Sequence, residues 1–377
     1  MSGTDGQVAH LDAVEKPERG LHSLSIRDFR NIESASLSFC NGLNLVHGEN
    51  GSGKTSLLEA IYCLGRVRSF RTHHADQPIR YGQSAYQLVG QIVAQGGKLL
   101  PLGIERSGTG LTVHFNSEPV RRLSDLAGNF PVQILSADTT SIFNGGPRFR
   151  RQTLDWALFH VEHSYRELWQ RYSRALRQRN AALRTQSASR LIRIWDEELL
   201  DAAVGIDRLR REYLEELSVL LSTELVALLP GMEVRLRYQS GWPASITLSE
   251  ALAANLEKDR AQGSTQYGVH RSDFQLQANN HEVSGHCSRG QQKTLLVAFL
   301  LAQVRLQHSR RTPLGAFLLD DLSSELDVLA QRRVLQALQE LGVQVFVTQI
   351  AGDSVDPADW GEFRAFHVEH GTVHEVL

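Results

Sequence analysis

The sequence predicts an α/β protein with mixed β-sheets and flanking helices, interrupted by an inserted helical segment. A short apolar strand, a glycine-rich turn and an amphipathic helix follow one another over residues 43–64. A second apolar strand, Ala316–Leu319, ends in two aspartates far downstream. Between them, residues 148–229 contain few strand signals, and their apolar residues recur with helical spacing. We therefore expect one head domain built from both ends of the chain, with a helical arm inserted into it.

The composition is that of an ordinary globular protein, because 41% of the 377 residues are hydrophobic and 22% are charged. No apolar run is long enough to span a bilayer, and residues 1–20 lack the apolar core of a secretory signal. The three cysteines lie far apart and indicate neither a disulfide framework nor a zinc site. We expect a cytoplasmic protein without a membrane partner, in which residues 1–20 form a disordered extension.

Residues 21–147 are predicted to form the N-terminal part of the head. Polar and apolar residues alternate in LHSLSIRDF and ASLSF, whereas LNLV is continuously apolar, as expected of a strand buried on both faces. The helix after the glycine-rich turn extends to about Gly65 and leads into an arginine-rich polar loop. Strand character returns over residues 86–120, where glycine turns separate three segments, and again in VQIL at 132–135.

The glycine-rich turn fits the phosphate-binding P-loop pattern G-x-x-x-x-G-K-[ST]. Its glycines let backbone N–H groups point at an anion, and the following helix adds the positive end of its dipole. Lys54 would reach the β- and γ-phosphates, and Thr55 would hold Mg²⁺. The predicted nucleotide-binding residues of this loop are Gly48, Glu49, Asn50, Gly51, Ser52, Gly53, Lys54 and Thr55.

Residues 148–262 are predicted to form the helical arm, with one helix over about 150–183 and another over about 190–228. Residues 148–193 hold eleven arginines and three carboxylates, whereas residues 196–224 hold nine carboxylates and three arginines. The opposite charges could face each other across an antiparallel hairpin, or the basic face could meet a nucleic-acid backbone. Both interpretations can hold together. A strand at MEVRLRY and a helix to about Gln262 complete this segment.

Residues 263–377 again show the strand patterns of the head and are predicted to form its C-terminal part. We predict a hairpin around Asn279 and Asn280, and then a helix from about residue 289. The apolar face of that helix should consist of Leu295, Phe299, Leu300 and Val304. The strand at 316–319, a helix, the strand VQVFV and a closing hairpin follow.

Two further groups complete the predicted site. Asp320, at the end of a buried strand, would bind Mg²⁺ directly or through water, and Asp321 would orient or deprotonate the attacking water. Ser288 and Gly290 open a helix, where they form either an anion-binding end or an ordinary N-cap.

The order of P-loop, S-x-G-Q, Asp-Asp and S-x-L-D resembles the nucleotide-binding domain of ABC-type ATPases. The resemblance implies that Ser288, Gly290 and Gln291 form the signature motif, which in that class caps the γ-phosphate held by the P-loop of another subunit. ATP would then be sandwiched between two protomers of a homodimer.

Five segments spread over nearly the whole chain belong together: FRN at 29–31, SFRT at 69–72, RRQTLDW at 150–156, GVHRSDF at 268–274 and SRGQQK at 288–293. As a set they resemble the RecF family, a cytoplasmic relative of the SMC heads. The resemblance implies an ATP-dependent, DNA-binding dimer that acts at single-strand gaps and stalled forks. It further implies cooperation with RecO and RecR in loading RecA, and so a part in recombinational repair and the SOS response.

The chain departs from the wider ABC pattern at several points. Thr348 and Gln349 follow the strand after which many ABC ATPases have a switch histidine, and either side chain could contact the γ-phosphate. Asp321 replaces the glutamate usual in transporters, and its shorter reach predicts a slow ATPase suited to a switch. The family resemblance implies that the ATPase is weak and DNA-dependent. The polar segment at residues 136–138 is predicted to correspond to the loop that carries the glutamine lid residue in the wider class, although it contains no glutamine itself.

Two basic groups have open interpretations. Arg68 and Arg71 could belong to a solvated loop or could contact the nucleotide base or DNA. His270, Arg271 and Asp273 could build the signature lobe by ion pairing or could line the nucleotide interface.

Two other functions were weighed against the repair ATPase. A transporter ATPase subunit would need a helical lid that couples to membrane loops. The insertion in this chain is larger than such a lid, and the switch histidine is missing. A structural SMC-like head would need long arms, whereas helices of about 35 residues give an arm of about 50 Å at most.

Overall fold

The computed structural model describes residues 19–72, 74–94, 96–120, 128–136, 141–312, 314–350, 355 and 360–376. Residues 1–18 of the predicted extension lie outside the described residues, and Gly20, at its predicted end, belongs to the first strand. Of the predicted lid loop, residues 137 and 138 also lie outside them. No described helix combines the length and the apolarity needed to cross a membrane.

The two ends of the chain are rich in strands, and its middle is rich in helices. The strands are β1 (Gly20–Phe29), β2 (Ile32–Ser38), β3 (Leu43–His47), β4 (Ala85–Val93), β5 (Leu99–Ser107), β6 (Gly110–Phe115), β7 (Glu118–Pro119), β8 (Val132–Leu135), β9 (Val234–Gln239), β10 (Asp273–Ala278), β11 (His281–Glu282), β12 (Ala316–Leu319), β13 (Val345–Gln349), β14 (Phe363–Glu369) and β15 (Thr372–Glu375). The helices are α1 (Lys54–Arg66), α2 (Ser141–Asn144), α3 (Gly146–Val161), α4 (His163–Arg184), α5 (Ser189–Leu228), α6 (Leu248–Ala254), α7 (Leu256–Gln262), α8 (Val283–His286), α9 (Arg289–Ser309), α10 (Leu322–Glu325) and α11 (Val328–Glu340).

The central six-stranded sheet draws its strands from both ends of the chain, in the order β15-β14-β3-β13-β12-β8. The strand β3 lies between the C-terminal strands β13 and β14 and pairs with both in parallel. The strand β12 pairs in parallel with β13 and β8. Because the carboxyl ends of parallel strands meet at one edge, this order brings the P-loop beside Asp320.

A second six-stranded sheet is antiparallel and has the order β2-β1-β4-β5-β6-β7. The helix α1 lies between the two large sheets, and Ser56 to Leu64 are all buried. Gly90 permits this close approach, because a Cβ there would lie 2.4 Å from Cδ2 of Leu64. These mixed sheets with flanking helices confirm the predicted α/β fold class.

The helical segment differs from the prediction at its start. The first predicted helix is two helices, α3 and α4, because Glu162 adopts an extended backbone between them. The second, α5, runs over Ser189–Leu228 as predicted, and α4 and α5 form an antiparallel hairpin. The helix predicted to end at about Gln262 is likewise divided, into α6 and α7, at Asn255.

The hairpin pairs some of its opposite charges internally. Arg171 contacts Glu198 and Asp201 on α5, at 2.8 and 2.7 Å. The fully buried Arg179 contacts Asp196 on α5 at 2.6 Å and Asp259 on α7 at 2.7 Å. Ion pairing across the hairpin is therefore one of its structural features.

The segment at 268–273 is held to helices α3, α4 and α5. Asp273 accepts two hydrogen bonds from Arg150, at 2.8 and 2.7 Å. The buried Arg210 donates to the carbonyl of Val269 at 2.7 Å, and Nδ1 of His270 lies 2.6 Å from the hydroxyl of Tyr172. These contacts favour a structural role for His270 and Asp273, whereas Arg271 is exposed.

His270→Gln should reduce the loss of stability in mild acid. Burial lowers the pKa of His270 to about 4 from 6.5, so the unfolded chain takes up a proton that the folded protein does not. The contribution of His270 to the free energy of unfolding is therefore complete above pH 6.5. It is lost as the pH falls towards about 4, and this loss amounts to at most about 3 kcal/mol. Urea unfolding across this pH range measures it, with exposed His22→Gln as the control. An unchanged pH dependence in His270→Gln would contradict the assignment.

The helix α9 corrects a second prediction. Instead of one apolar face, it is buried on all sides from Leu295 to Val304. The helix packs against α5 and α11 and belongs to the same core as strand residues such as Phe317. Separate parts of the chain cover its different faces. The spacing of apolar residues within the helix therefore predicts less burial than the structure shows.

Candidate nucleotide-binding site

The P-loop connects the end of β3 to the first residue of α1. Gly51 and Gly53 have φ values of 80° and 125°, a region that side-chain-bearing residues rarely adopt. At Gly48, a Cβ would lie 2.3 Å from the carbonyl oxygen of Val368 in β14. The backbone conformation thus accounts for Gly51 and Gly53, and the close approach to β14 accounts for Gly48.

Lys54 folds back over the loop. Its Nζ donates to the carbonyl oxygens of Gly48 and Glu49, at 2.7 and 2.9 Å. This geometry holds a positive charge above the loop where the N-terminus of α1 also presents its backbone N–H groups. An anion bound in the loop would therefore meet both features.

Asp320 lies beside the P-loop and is oriented by two hydroxyl groups. Thr55 Oγ1 and Thr348 Oγ1 donate to the same oxygen, Oδ1 of Asp320, at 3.0 and 2.9 Å. Burial raises the pKa of Asp320, and the two hydroxyl donors oppose that shift. Thr348 also accepts a hydrogen bond from the backbone N–H of Asp321 at 2.7 Å. Its hydroxyl therefore orients the acidic pair, while Gln349 is buried beside it in β13.

A cavity of about 590 Å³ opens over these groups, which is a suitable size for a nucleotide. The P-loop with the start of α1 and the acidic pair contribute most of its lining. The turn between β1 and β2, the loop after α1 and Thr348 of β13 complete it. The lining residues are Arg30, Asn31, Asn50, Gly51, Gly53, Lys54, Thr55, Ser56, Arg71, Gln77, Ile79, Asp320, Asp321 and Thr348. Of the two arginines with open interpretations, Arg71 thus lines this cavity.

Glu59 on α1 connects the loops that form the cavity wall. It is completely buried and contacts Arg30 through both carboxylate oxygens, at 2.6 and 2.9 Å. Arg71 lies 3.4 Å from one of these oxygens, and Ser69 donates to the other at 2.5 Å. Glu59 is not among the site residues predicted from the sequence. The sequence feature that could have identified it is an acidic residue one turn after Thr55, within the apolar run of the P-loop helix.

Glu59→Gln should lower the free energy of unfolding by about 3 kcal/mol, because it leaves the buried part of Arg30 without its counter-charge. Urea denaturation measures the change. Glu33→Gln is the matched control, since Glu33 also pairs with an arginine, Arg80, at 2.8 Å, but is 73% exposed. The control should lose less than about 1 kcal/mol. Equal losses in the two variants would show that the Glu59 contacts do not organise the wall.

The predicted signature residues lie at the start of α9. Ser288 is the N-cap: its Oγ accepts from the N–H of Gln291 at 3.2 Å, and its N–H donates to Oε1 of Gln291 at 2.9 Å. The ordinary N-cap interpretation is therefore realised, with the Ser288 and Gly290 surface exposed. Lys293 ties this helix to the segment after Asp321 by donating to the carbonyl of Ser324 at 2.9 Å. Among the described residues, none of 288–291 lines the cavity.

Comparison with known proteins gives concordant matches over nearly the whole chain. The sequence profile of the family described as RecF/RecN/SMC N terminal domain matches residues 20–373. The DNA replication and repair protein RecF of Stutzerimonas stutzeri (strain A1501) is 39% identical over 94% of this chain and 97% of its own length. The protein of the same name from Shewanella frigidimarina (strain NCIMB 400) is 37% identical over 94% of this chain and 98% of its own.

The fold has counterparts among solved structures. The recombination mediator protein RecF bound to ATP, described within the RecFOR pathway, superposes with a TM-score of 0.86 at 25% identity and covers 98% of this chain and 100% of that chain. An Smc head domain from Pyrococcus furiosus, solved with the C-terminal domain of ScpA, gives a TM-score of 0.60 at 15% identity over 95% and 96% of the two chains. The second likeness concerns the fold alone.

Proposed function

This chain belongs to the RecF family of DNA replication and repair proteins, and from that premise we propose that it is an ATP-dependent, DNA-binding repair protein. The observation that carries the proposal is the convergence of Lys54, Thr55 and Asp320 on one nucleotide-sized cavity. A RecF protein with the same fold has been solved with ATP, which supports ATP as the ligand.

The oxygen donors at the acidic edge fit Mg²⁺. Thr55 Oγ1 and Asp320 Oδ1 are 3.0 Å apart, and hydroxyl and carboxylate oxygens are the ligands that this ion prefers. Bound there, Mg²⁺ would neutralise charge on the phosphate oxygens. Thr348 holds the Asp320 carboxylate in place, and Asp321 would orient or deprotonate the attacking water. The short reach of Asp321 is consistent with slow hydrolysis that serves as a switch.

The phosphate pocket would be completed by a second copy of this chain. The signature residues Ser288, Gly290 and Gln291 are exposed at a helix N-terminus, yet none of them lines the cavity of their own described chain. A twofold dimer would let the signature of each protomer cap the nucleotide of the other, because a twofold interface uses the same surfaces on both copies. ATP would thereby hold two heads together.

The names of the relatives support a role in DNA replication and repair, and the finer role that we propose is the one that the family resemblance of the sequence implies. The ATP-bound dimer would recognise gapped DNA that contains single strands, and with RecO and RecR it would promote RecA loading. Recombinational repair, replication restart and the SOS response would depend on it. The solved relative described as a recombination mediator in the RecFOR pathway supports this assignment.

Sedimentation velocity with and without ATP and gapped DNA tests the proposal. We expect a monomer without nucleotide, a dimer with ATP and Mg²⁺, and co-sedimentation of gapped DNA that is stronger with ATP than with ADP. A protein whose mass and DNA binding are the same with ATP, with ADP and without nucleotide would contradict it.

A further inference from the structure

The free end of the α4–α5 hairpin carries positive charge without local compensation. Residues 168–195 contain seven arginines and no aspartate, glutamate or lysine. Two of the seven, Arg171 and Arg179, are paired with carboxylates of α5 and α7. The other five are exposed and define what we call the arginine tip: Arg174, Arg177, Arg184, Arg190 and Arg193.

Within the described part of the chain, no carboxylate forms a salt bridge with any arginine of the tip. Two nearby carboxylates lie close to other arginines: Glu198 pairs with Arg171, although Arg174 also lowers its pKa, and Glu257 on α7 lies 3.9 Å from Arg260. A third, Glu197, lies one turn after Arg193 on α5 and is exposed to solvent, where its charge offsets that of Arg193 only weakly. Further along α5 the pattern reverses. There, Arg208, Arg210 and Arg211 pair with Glu212, Asp155 and Asp207 respectively.

This contrast indicates that the tip serves an external ligand. Like charges that neighbour one another on a helix or meet at the end of a hairpin repel, so the uncompensated cluster opposes folding slightly. The rest of the same hairpin shows that this chain readily supplies partner carboxylates where arginines serve the fold. Five guanidinium groups left open to solvent are suited to an anionic surface.

The arrangement also fits an extended anion. Arg174, Arg177 and Arg184 fall within about a quarter of the circumference of α4, given about 3.6 residues per turn. Arg190 and Arg193 lie one turn apart at the start of α5, across the short connection from α4. Near Tyr213, whose hydroxyl accepts from Gln303 of α9 at 3.3 Å, α5 joins the head. Arg190 lies about 35 Å farther along the same helix, by the helical rise.

We propose that the arginine tip binds the DNA phosphate backbone and provides a contact site separate from the ATP cavity. The inference rests on the proposed function, which supplies DNA as the ligand. Arginine suits the task because its planar guanidinium binds phosphate oxygens through two parallel hydrogen bonds. Leu191 and Ile194, each next in sequence to an arginine of the tip and 53% and 56% exposed, would lie against the sugar and base surfaces.

The test combines Arg177→Gln, Arg184→Gln, Arg190→Gln and Arg193→Gln in one variant. Fluorescence anisotropy with gapped DNA and ATP should give affinity at least about 10-fold weaker than native at low salt. The slope of log affinity against log salt should become shallower by about two to four units, since each lost phosphate contact removes nearly one. Arg208→Gln, an exposed arginine of the same helix that pairs with Glu212, is the control and should match the native protein.

The same variant should keep its ATP-dependent dimer in sedimentation, because the altered side chains are exposed and form no salt bridge in the described part of the chain. Its unfolding temperature should be native or slightly higher, since four mutually repelling charges are removed. These readouts separate the tip from the nucleotide site. If the variant binds DNA with native affinity and salt slope, the tip proposal is overturned, and an acidic protein surface becomes the better candidate for its ligand. If the native protein itself binds no DNA with ATP, the proposed function is overturned together with it.

Discussion

Lys54→Ala is expected to lower ATP affinity at least about 100-fold, equivalent to about 3 kcal/mol. The substitution removes the only positively charged side chain of the P-loop segment 48–55. Charge-assisted hydrogen bonds to phosphate are the strong ones, and two such contacts account for a loss of this size. Without bound nucleotide the ATP-dependent dimer should also disappear. Isothermal titration with ATP and sedimentation velocity measure the two effects.

The matched control is Lys98→Ala, which removes an exposed lysine directly before β5 and should leave both measurements unchanged. Thermal unfolding without nucleotide should also be close to native for Lys54→Ala, because Lys54 lies at the first position of α1, where alanine is compatible with the helix, and its Nζ donates to carbonyls of the surface loop. Native-like ATP affinity in Lys54→Ala would exclude the P-loop as the phosphate site.

Ser288→Arg is expected to separate nucleotide binding from dimerisation. Ser288 does not line the cavity of its own described chain, so ATP affinity of the monomer should remain within about twofold of native. A long cation at the proposed dimer contact should displace the partner's nucleotide-bound loop, and the ATP-dependent dimer should be lost at concentrations where the native protein is fully dimeric. Titration calorimetry and sedimentation velocity measure these two outcomes.

The control for Ser288→Arg must reproduce the loss of an N-cap, which costs about 1 kcal/mol by itself. Thr247→Arg does so, because Thr247 is the exposed N-cap of α6 and forms the same reciprocal capping arrangement with Glu250. The control should lose similar stability yet dimerise with ATP. If Ser288→Arg also dimerises normally, the signature does not lie at the dimer contact.

The features that could be predicted from the sequence are those encoded locally. The P-loop needs glycines at fixed positions, and a buried strand that ends in Asp320 delivers its carboxylate to the same sheet edge. Both patterns are visible without knowledge of the fold. The hairpin turn at Asn279 and Asn280 is likewise local, since both residues adopt the positive φ values that asparagine tolerates.

The features that could not be predicted depend on contacts between distant segments. Glu59 looks like an acidic interruption of an apolar helix until Arg30 and Arg71 are brought to it by two separate loops. The role of Thr348 follows from the register that sets β13 beside β12. The break at Glu162 has no glycine or proline to announce it, and the full burial of α9 results from packing against elements remote in sequence.

The central claim is that each ATP site combines the P-loop of one protomer with the signature of its partner. An equimolar mixture of Lys54→Ala and Ser288→Arg, labelled with different fluorophores and sedimented with ATP and Mg²⁺, tests it most directly. In a mixed dimer, the intact P-loop of the Ser288→Arg protomer faces the intact signature of the Lys54→Ala protomer. The account predicts a two-colour dimer, with one ATP bound, that neither variant forms alone. A mixture that stays monomeric, at concentrations well above those at which the native protein is fully dimeric, would contradict the shared site.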